Sequence, residues 1–213
     1  MKKSIFVLLI LFIGSSVSYS QFLPKFGVKA GLSAANHSWD YKGLLNGSID
    51  WEYNYGFTVR AFAEFGLGDN FGLQGELGYS RKGNKKDIPI TTVENPDGNG
   101  QYIRVENTLD YVSVAALAKL SLFKGPISPY IIGGPQMNFL AGKDISNTFK
   151  TVYDDFNSGV LGISVGAGLE LGIAPVNVFV EYRYERDLTD SAPQDNVEIY
   201  NFSHVLMFGI VLF

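Results

Sequence analysis

Apolar and polar residues alternate along segments that recur down the whole chain. In the stretch YGFTVRAFAEF, every second position from Phe57 to Phe65 is apolar, while Thr58, Arg60 and Glu64 lie between. Successive side chains of a β-strand point to opposite faces, so the stretch predicts a strand with one apolar and one polar face. Eight such segments, each bounded by Gly, Pro, Asn or Asp, predict strands at 26–35, 55–66, 71–82, 108–123, 129–140, 159–172, 176–186 and 200–213.

The connections between these strands alternate in length. Those after strands two, four and six are short, at 66–70, 124–128 and 173–175. Those after strands one, three, five and seven are long and polar, at 36–54, 83–107, 141–158 and 187–199. Outer-membrane barrels have short periplasmic turns, longer extracellular loops and an even number of strands. The pattern therefore predicts an all-β fold, an eight-stranded antiparallel up-and-down transmembrane β-barrel with its long loops on the extracellular side.

Alternate positions of a strand form two sets, or phases, one for each face of the sheet. The charges within the predicted strands lie in one phase, and the opposite phase is almost free of charge. Closing the sheet into a barrel brings positions of one phase into a narrow interior, where charges must pair because desolvation makes a lone charge costly. We expect Arg60 and Arg183 to pair there with carboxylates, in space left by Gly162, Gly166 and Gly168. The predicted interior network is structural and comprises Lys29, Arg60, Glu64, Glu76, Lys119, Glu170, Glu181, Arg183 and Glu185.

Alternation alone does not decide which face meets water. A soluble eight-stranded barrel of the lipocalin type keeps its apolar side chains around a ligand and its charges outside. A soluble periplasmic lipocalin-like carrier is therefore one alternative interpretation. In the membrane interpretation the interior is only wide enough for its own side chains, which excludes a diffusion porin.

The N-terminus has the organisation of a secretory signal. Lys2 and Lys3 precede an apolar run at 5–13, and Ser18-Tyr19-Ser20 provides small residues before the expected cleavage. We expect residues 1–20 to be a cleaved signal peptide and 21–213 to form a single outer-membrane barrel domain in a Gram-negative bacterium. The chain has no cysteine, which excludes disulfides and a lipid-anchored N-terminus. It carries 17 Lys and Arg against 21 Asp and Glu, which argues against nucleic acid as a partner.

Several segments resemble the PorT-like family of small outer-membrane β-barrels. They are FGVKAGLSAAN at 26–36, YGFTVRAFAEFGLGDNFGLQGELGYSRKG at 55–83, LDYVSVAALAKL at 109–120, SVGAGLEL at 164–171, VFVEYRY at 178–184 and the final GIVLF. The resemblance implies an eight-stranded barrel in outer-membrane lipid. It also implies that Phe213 is the terminal aromatic residue that the barrel-assembly machinery reads. The expected role of the protein is structural or binding, with partners contacted through the extracellular loops or the periplasmic rim.

Candidate catalytic groups are few. His37, Ser38 and Asp40 place a base, a hydroxyl and a carboxylate close in sequence, so an outer-membrane enzyme of acyl-transfer or hydrolase type is the other alternative. We expect His204 to lie inside the barrel beside Glu181 or Glu185. Because three neighbouring polar loop residues seldom form a site, we expect no enzymatic activity and no cofactor.

Loop acids could in principle gather around Ca²⁺, which prefers several oxygen ligands. The candidates are Asp154 and Asp155 with Asp40 or Asp187, but no spacing matches a calcium loop, and we expect no metal.

Two further expectations concern the ends of the strands. Tyr79, Tyr111, Tyr130, Tyr182 and Tyr184 are expected in the aromatic girdles at the membrane surfaces. The segments 87–94 and 101–108 are rich in β-formers and flank the turn-forming stretch NPDGNG. Strands three and four are therefore predicted to continue beyond the bilayer as a hairpin.

Overall fold

The computed structural model describes residues 24–41, 51–90, 100–146, 157–173, 175–191 and 197–212. Eight strands form in chain order, and each is antiparallel to its neighbours. They are β1 (Lys25–Tyr41), β2 (Glu52–Gly66), β3 (Phe71–Pro89), β4 (Tyr102–Ser121), β5 (Ile127–Ile145), β6 (Gly159–Ile173), β7 (Val176–Asp187) and β8 (Val197–Val211). Because β8 also pairs with β1, the sheet is a closed barrel, which confirms the predicted fold. No helix in the described ranges is long and apolar enough to cross a membrane.

The strands extend further at one end than the hydrophobic pattern predicts. β1 continues to Tyr41 and β5 to Ile145, where the sequence indicated loops from residues 36 and 141. The added residues are mostly polar, and cross-strand backbone hydrogen bonds hold them in the sheet. Side-chain hydrophobicity marks only the part of a strand that faces lipid, so it underestimates a strand that continues into water.

The two ends of the barrel differ as predicted. The connections at 67–70, 122–126 and 174–175 are short, and those at 42–51, 90–101, 146–158 and 188–196 are longer. β1 begins and β8 ends at the end with the short turns, which is the periplasmic end of a barrel of this kind.

The closing pair of strands is extensively matched. β1 and β8 share fifteen residue pairs, from Gly27 with Val211 to Tyr41 with Val197. β7 and β8 share ten, from Asn177 with Val211 to Arg186 with Phe202.

The apolar phase faces outward. Leu32, Leu77 and Phe208 are 69%, 58% and 63% exposed, whereas Lys29, Arg60 and Arg183 are at most 2% exposed. This arrangement is the reverse of the one a soluble lipocalin-like barrel requires, and it fits a barrel whose outer wall contacts lipid.

The β3–β4 hairpin projects past its neighbours. β3 and β4 pair as far as Pro89 with Tyr102, whereas β2 pairs with β3 only to Lys85 and β5 pairs with β4 only to Asn107. The predicted continuation is confirmed up to that pair. The turn itself, at 95–99, lies outside the described residues.

Candidate functional site in the barrel interior

A central network of seven charged side chains fills the middle of the barrel, and Glu76 of β3 is its centre. Arg183 of β7 donates to both carboxylate oxygens of Glu76, over 2.8 Å to Oε2 and 2.7 Å to Oε1. Lys29 of β1 donates to Oε1 over 2.6 Å, and Arg60 of β2 to Oε2 over 3.4 Å. One carboxylate therefore joins three cations from three other strands across the lumen.

Two further glutamates of β7 complete the central network. Glu181 lies 2.9 Å from Lys29 Nζ and 2.7 Å from Arg183 Nε, and it accepts a hydrogen bond from the Tyr130 hydroxyl over 2.9 Å. Glu185 lies 2.5 Å from Arg60 Nη2 and 3.2 Å from Lys82 Nζ. The central network thus consists of Lys29, Arg60, Glu76, Lys82, Glu181, Arg183 and Glu185, all with side chains at most 2% exposed.

A smaller periplasmic group lies at the mouth with the short turns. Lys119 of β4 donates to Glu64 of β2 over 2.8 Å and to Glu170 of β6 over 3.0 Å. Its ammonium also lies 4.4 Å from the centre of the Tyr130 ring. Asn177 donates to the other oxygen of Glu170 over 2.8 Å. Six of the nine predicted interior charges thus belong to the central network, and these three form the periplasmic group.

Sequence reasoning missed two interior charges, Lys82 and Asp187. Lys82 lies on the same face of β3 as Glu76 and Ser80, so the alternation of side chains along the strand would have predicted its inward direction. Asp187 shares the phase of Glu185, but the sequence indicated a loop there; it accepts hydrogen bonds from Asn138 over 2.9 Å and from Asn201 over 2.6 Å. With these two, the described residues of the interior include five cations and six acids, a slightly acidic balance.

Glycines make room for the large interior side chains. A β-carbon on Gly166 would lie 2.8 Å from Arg183 Cγ, and one on Gly78 would lie 2.5 Å from Arg60 Cγ. Gly168 lies against the ring of Tyr130, where a β-carbon would be 2.4 Å away. Such contacts are far shorter than the optimal separation of carbon atoms, so these arginines and Tyr130 fit only because their neighbours lack a side chain.

Apolar side chains fill the interior above and below the central network. The lower apolar cluster lies between it and the periplasmic group and comprises Phe62, Ala115, Leu117, Tyr130, Ile132, Phe179 and Val211. The upper apolar cluster lies toward the extracellular mouth and comprises Trp51, Val105, Leu109, Tyr111, Val160 and Ile199, with Ile88, Leu140 and Ile145 packed against it.

The prediction that five tyrosines lie in the aromatic girdles is wrong for two of them. Tyr111 and Tyr130 are 1% and 3% exposed and lie inside. Each occupies the inward phase of its strand, and position near a strand end does not reveal phase.

The expectation that His204 lies inside is wrong. The side chains next to it on the inward face of β8, Ser203, Val205 and Met207, are fully buried, so His204 faces outward. Its Nδ1 lies 2.7 Å from the hydroxyl of Tyr182. The hydrophobic pattern failed here because β8 has apolar residues in both phases, and only the register with β1 fixes which phase is inside.

The proposed catalytic residues do not converge. His37 lies on β1 and faces inward, 4% exposed, with its Nδ1 3.1 Å from Asn84 Nδ2. Ser38 is the next residue of the same strand, so its side chain points to the opposite face. The side chain of Asp40 lies outside the described residues, and alternation separates the other two members of the suggested site.

The acids considered as calcium ligands do not form a site in the described part of the chain. Asp187 is inside the barrel and bonded to amide groups, while Asp154 and Asp155 lie outside the described residues. No group of three or more metal-binding side chains occurs in the described ranges.

A closed barrel of eight strands, apolar outside and charged inside, defines an integral outer-membrane protein. The chain belongs to the outer membrane protein beta-barrel domain family, whose model matches residues 19–192. This membership and fold place it in the outer membrane of a Gram-negative bacterium. No curated protein sequence matches the chain.

Solved structures of small outer-membrane barrels are similar in fold. OprG from Pseudomonas aeruginosa is 11% identical with a TM-score of 0.50, over 91% of this chain and 98% of that one. Neisserial surface protein A is 19% identical with a TM-score of 0.49, over 88% and 97%. Ail of Yersinia pestis, in complex with the heparin analogue sucrose octasulfate, is 16% identical with a TM-score of 0.40, over 87% and 98%.

Proposed function

We propose that this protein is a filled, non-conducting barrel that acts as a structural or binding module of the outer membrane. Its partners are contacted through the extracellular surface or the periplasmic rim. The observation that supports this most directly is the interior, where the central network crosses the lumen between β1, β2, β3 and β7. Apolar clusters occupy the barrel on both sides of that network, so the outer surfaces are the parts left to meet other molecules.

Conductance measurements test the first half of the proposal. The purified barrel in a planar lipid bilayer should give no stable channel, because solutes would have to displace paired charges from a narrow interior. A porin assayed in the same bilayer is the positive control. Reproducible single-channel steps would overturn the proposal in favour of a transport function.

Site-specific crosslinking tests the second half. A photoreactive residue at Tyr102, in the last described pair of the projecting hairpin, reports on the extracellular surface, and one at Leu122 reports on the periplasmic rim; both are exposed. A residue at Leu77, which faces lipid, is the matched control. Protein adducts formed in the native host at one end, and absent at Leu77, support a binding module and identify the working surface.

Three finer assignments are part of this proposal. Membership of the PorT-like subfamily is supported by the segments that resemble it. The signal peptide and the recognition of Phe213 by the barrel-assembly machinery rest on the sequence, because residues 1–23 and 213 lie outside the described residues. Mass spectrometry of the mature protein should give an N-terminus at Gln21, and deletion of Phe213 should reduce the amount of folded barrel in the envelope.

A further inference from the structure

A patch of outward-facing polar and aromatic side chains lies at the extracellular edge of the barrel wall. We call it the rim patch, and it consists of Tyr53, Tyr182, Tyr184, Arg186 and His204. The imidazole of His204 is surrounded by rings, with centroids 5.3 Å away for Tyr184, 5.9 Å for Tyr53 and 6.2 Å for Tyr182. The side chains below it on β8 are Leu206, Phe208 and Ile210, all exposed and apolar.

The depth of the rim patch follows from strand geometry. Ten residues separate Val176, beside the periplasmic turn, from Arg186 on β7. At about 3.3 Å per residue and a tilt of about 40°, Arg186 lies roughly 25 Å above Val176 along the membrane normal, which is about the height of the apolar band. Arg186, the uppermost member of the rim patch, therefore lies at the level of the head groups of the outer leaflet, with the aromatic members just below it.

Arg186 differs from the other outward-facing arginines. Arg81 is bonded to Asp110 over 2.8 Å, and Arg104 to Asp87 over 2.9 Å. Among the described residues, no side chain forms a hydrogen bond or ion pair with Arg186. On the same face of β8, Glu198 lies four residues from Phe202, the pairing partner of Arg186, and accepts a hydrogen bond from Tyr200 over 2.9 Å.

Arg186 and His204 are close enough to act together. Arg186 pairs with Phe202 and Tyr184 pairs with His204, so Arg186 and His204 are diagonal neighbours on the same face of β7 and β8. Diagonal neighbours are within reach of long side chains. The Tyr182 hydroxyl is 2.7 Å from Nδ1 of His204, and Nε2 carries a proton both in the neutral tautomer that accepts from this hydroxyl and in the protonated imidazole. His204 then offers an N–H donor beside the guanidinium.

We propose that the rim patch binds a phosphate group, presented by the phosphorylated glycolipid of the outer leaflet. The guanidinium of Arg186 donates two parallel hydrogen bonds to phosphate oxygens, a geometry that lysine cannot provide. His204 donates a third from Nε2, and the three tyrosine rings hold its orientation. This proposal rests on the outer-membrane placement of the proposed function and adds a defined lipid partner to it.

Native mass spectrometry of the full mature barrel in detergent tests the proposal. The probes are diphosphorylated lipid A, the same lipid enzymatically stripped of phosphate, and inorganic phosphate in large excess. The variants are Arg186→Gln and His204→Gln. The matched control is Arg81→Gln, which removes the same charge from a paired arginine of the outer face. Heat-modifiable migration on gels shows that each variant is folded.

The expected result is retention of phosphorylated lipid A by the parent and by Arg81→Gln. Arg186→Gln should bind it at least about tenfold more weakly, the scale of a lost charge-assisted hydrogen bond. His204→Gln should show a smaller loss. The dephosphorylated lipid should be retained on the barrel no more than detergent molecules are. Displacement of the lipid by inorganic phosphate would assign the site to free phosphate as well, whereas no displacement would restrict it to the lipid.

Equal losses in Arg186→Gln and Arg81→Gln would overturn the proposal, because they would show only a dependence on surface charge. Equal retention of the dephosphorylated lipid would also overturn it. Either result would leave the filled barrel intact, since that is tested by conductance and not by lipid retention.

Discussion

Two bidentate arginine–carboxylate pairs in this molecule have similar hydrogen-bond distances and opposite surroundings. Inside the barrel, Arg183 donates to both oxygens of Glu76 over 2.7 and 2.8 Å. On the projecting hairpin, Arg104 donates to both oxygens of Asp87 over 2.9 and 3.0 Å. The interior side chains are 0% and 1% exposed, and those of the hairpin are 66% and 38% exposed.

The two pairs differ in whether water can solvate the remaining charge when one member is removed. If Asp87 or Arg104 is removed, water solvates the remaining charge, so such surface pairs contribute little. If Arg183 is removed, the carboxylates of Glu76 and Glu181 each lose a cation at a place that water does not reach. Ion pairs inside this barrel are therefore required by the burial of their members, and those on the hairpin are not.

Replacement of Arg183 by Ala should have the largest effect. It breaks a buried network and leaves unpaired charge, which typically costs about 3 to 5 kcal/mol. Urea unfolding of the barrel in lipid vesicles measures the free energy of unfolding. Arg186→Ala on the same strand, whose side chain has no partner in the described structure, is the matched control and should leave the midpoint unchanged. An Arg183→Ala barrel as stable as the parent would contradict the proposed role of the central network.

The same Arg183→Ala barrel should remain closed to ions. The lower and upper apolar clusters still fill the lumen on either side of the deletion, so planar-bilayer recordings should match those of the parent. A new channel in this variant would mean that the central network alone blocks the interior.

Replacement of Gly166 by Ala should destabilise the barrel by about 1 to 3 kcal/mol, as expected for an overpacked interior. The new β-carbon would lie 2.3 Å from the carbonyl oxygen of Tyr182 and 2.8 Å from Arg183 Cγ. Gly75→Ala on β3 is the control, because a β-carbon there has no neighbour within 4 Å. Equal unfolding midpoints for the two variants would show that the interior adjusts freely around the arginine.

Replacement of Lys119 by Met should lower the free energy of unfolding by about 1 kcal/mol, the scale of a typical hydrogen bond. Lys119 separates Glu64 and Glu170, whose side chains are 11% and 13% exposed, so water at the periplasmic mouth can partly solvate them after the change. Unfolding in urea at neutral pH measures the loss. A loss as large as that of Arg183→Ala would contradict the distinction between the two groups.

Replacement of Arg104 by Ala should leave the unfolding midpoint unchanged. In the folded hairpin the Arg104 guanidinium lowers the pKa of Asp87, so their attraction is present at neutral pH and is lost as the pH falls through that lowered pKa. Comparing the parent with Arg104→Ala at neutral and acidic pH measures this contribution. A clear difference at neutral pH would show that the hairpin pair matters more than its exposure implies.

The alternation of apolar and polar residues predicted which side chains face the interior. This prediction failed where apolar residues occur in both phases of a strand. Arg60 and Arg183 occur on strands whose apolar residues, apart from Phe62 and Phe179, lie on the opposite face, so their inward direction follows from the sequence. β8 has apolar side chains in both phases, so the direction of His204 depends on its pairing with β1 and β7. The partners within the network, such as Glu76 with Arg183, depend on the stagger of strands around the barrel, which is a tertiary property.

Strand ends were the other source of error. Asp187 and His37 lie in parts of β7 and β1 where polar sequence indicated loops. Backbone pairing with the adjacent strand, and not hydrophobicity, keeps those residues in the sheet.

The pairing of β1 with β8 means that the barrel cannot close before its last strand is present. Gly27 and Val211 are partners although nearly the whole of the described chain separates them, so this pairing has the highest contact order among the described strands. Until β8 is present, β1 and β7 are open edges, which in any sheet can recruit foreign strands. Since β8 forms fifteen pairs with β1 and ten with β7, its larger backbone contact is with the beginning of the chain. The last strand to be synthesised therefore both completes the sheet and removes its two hazardous edges in one step.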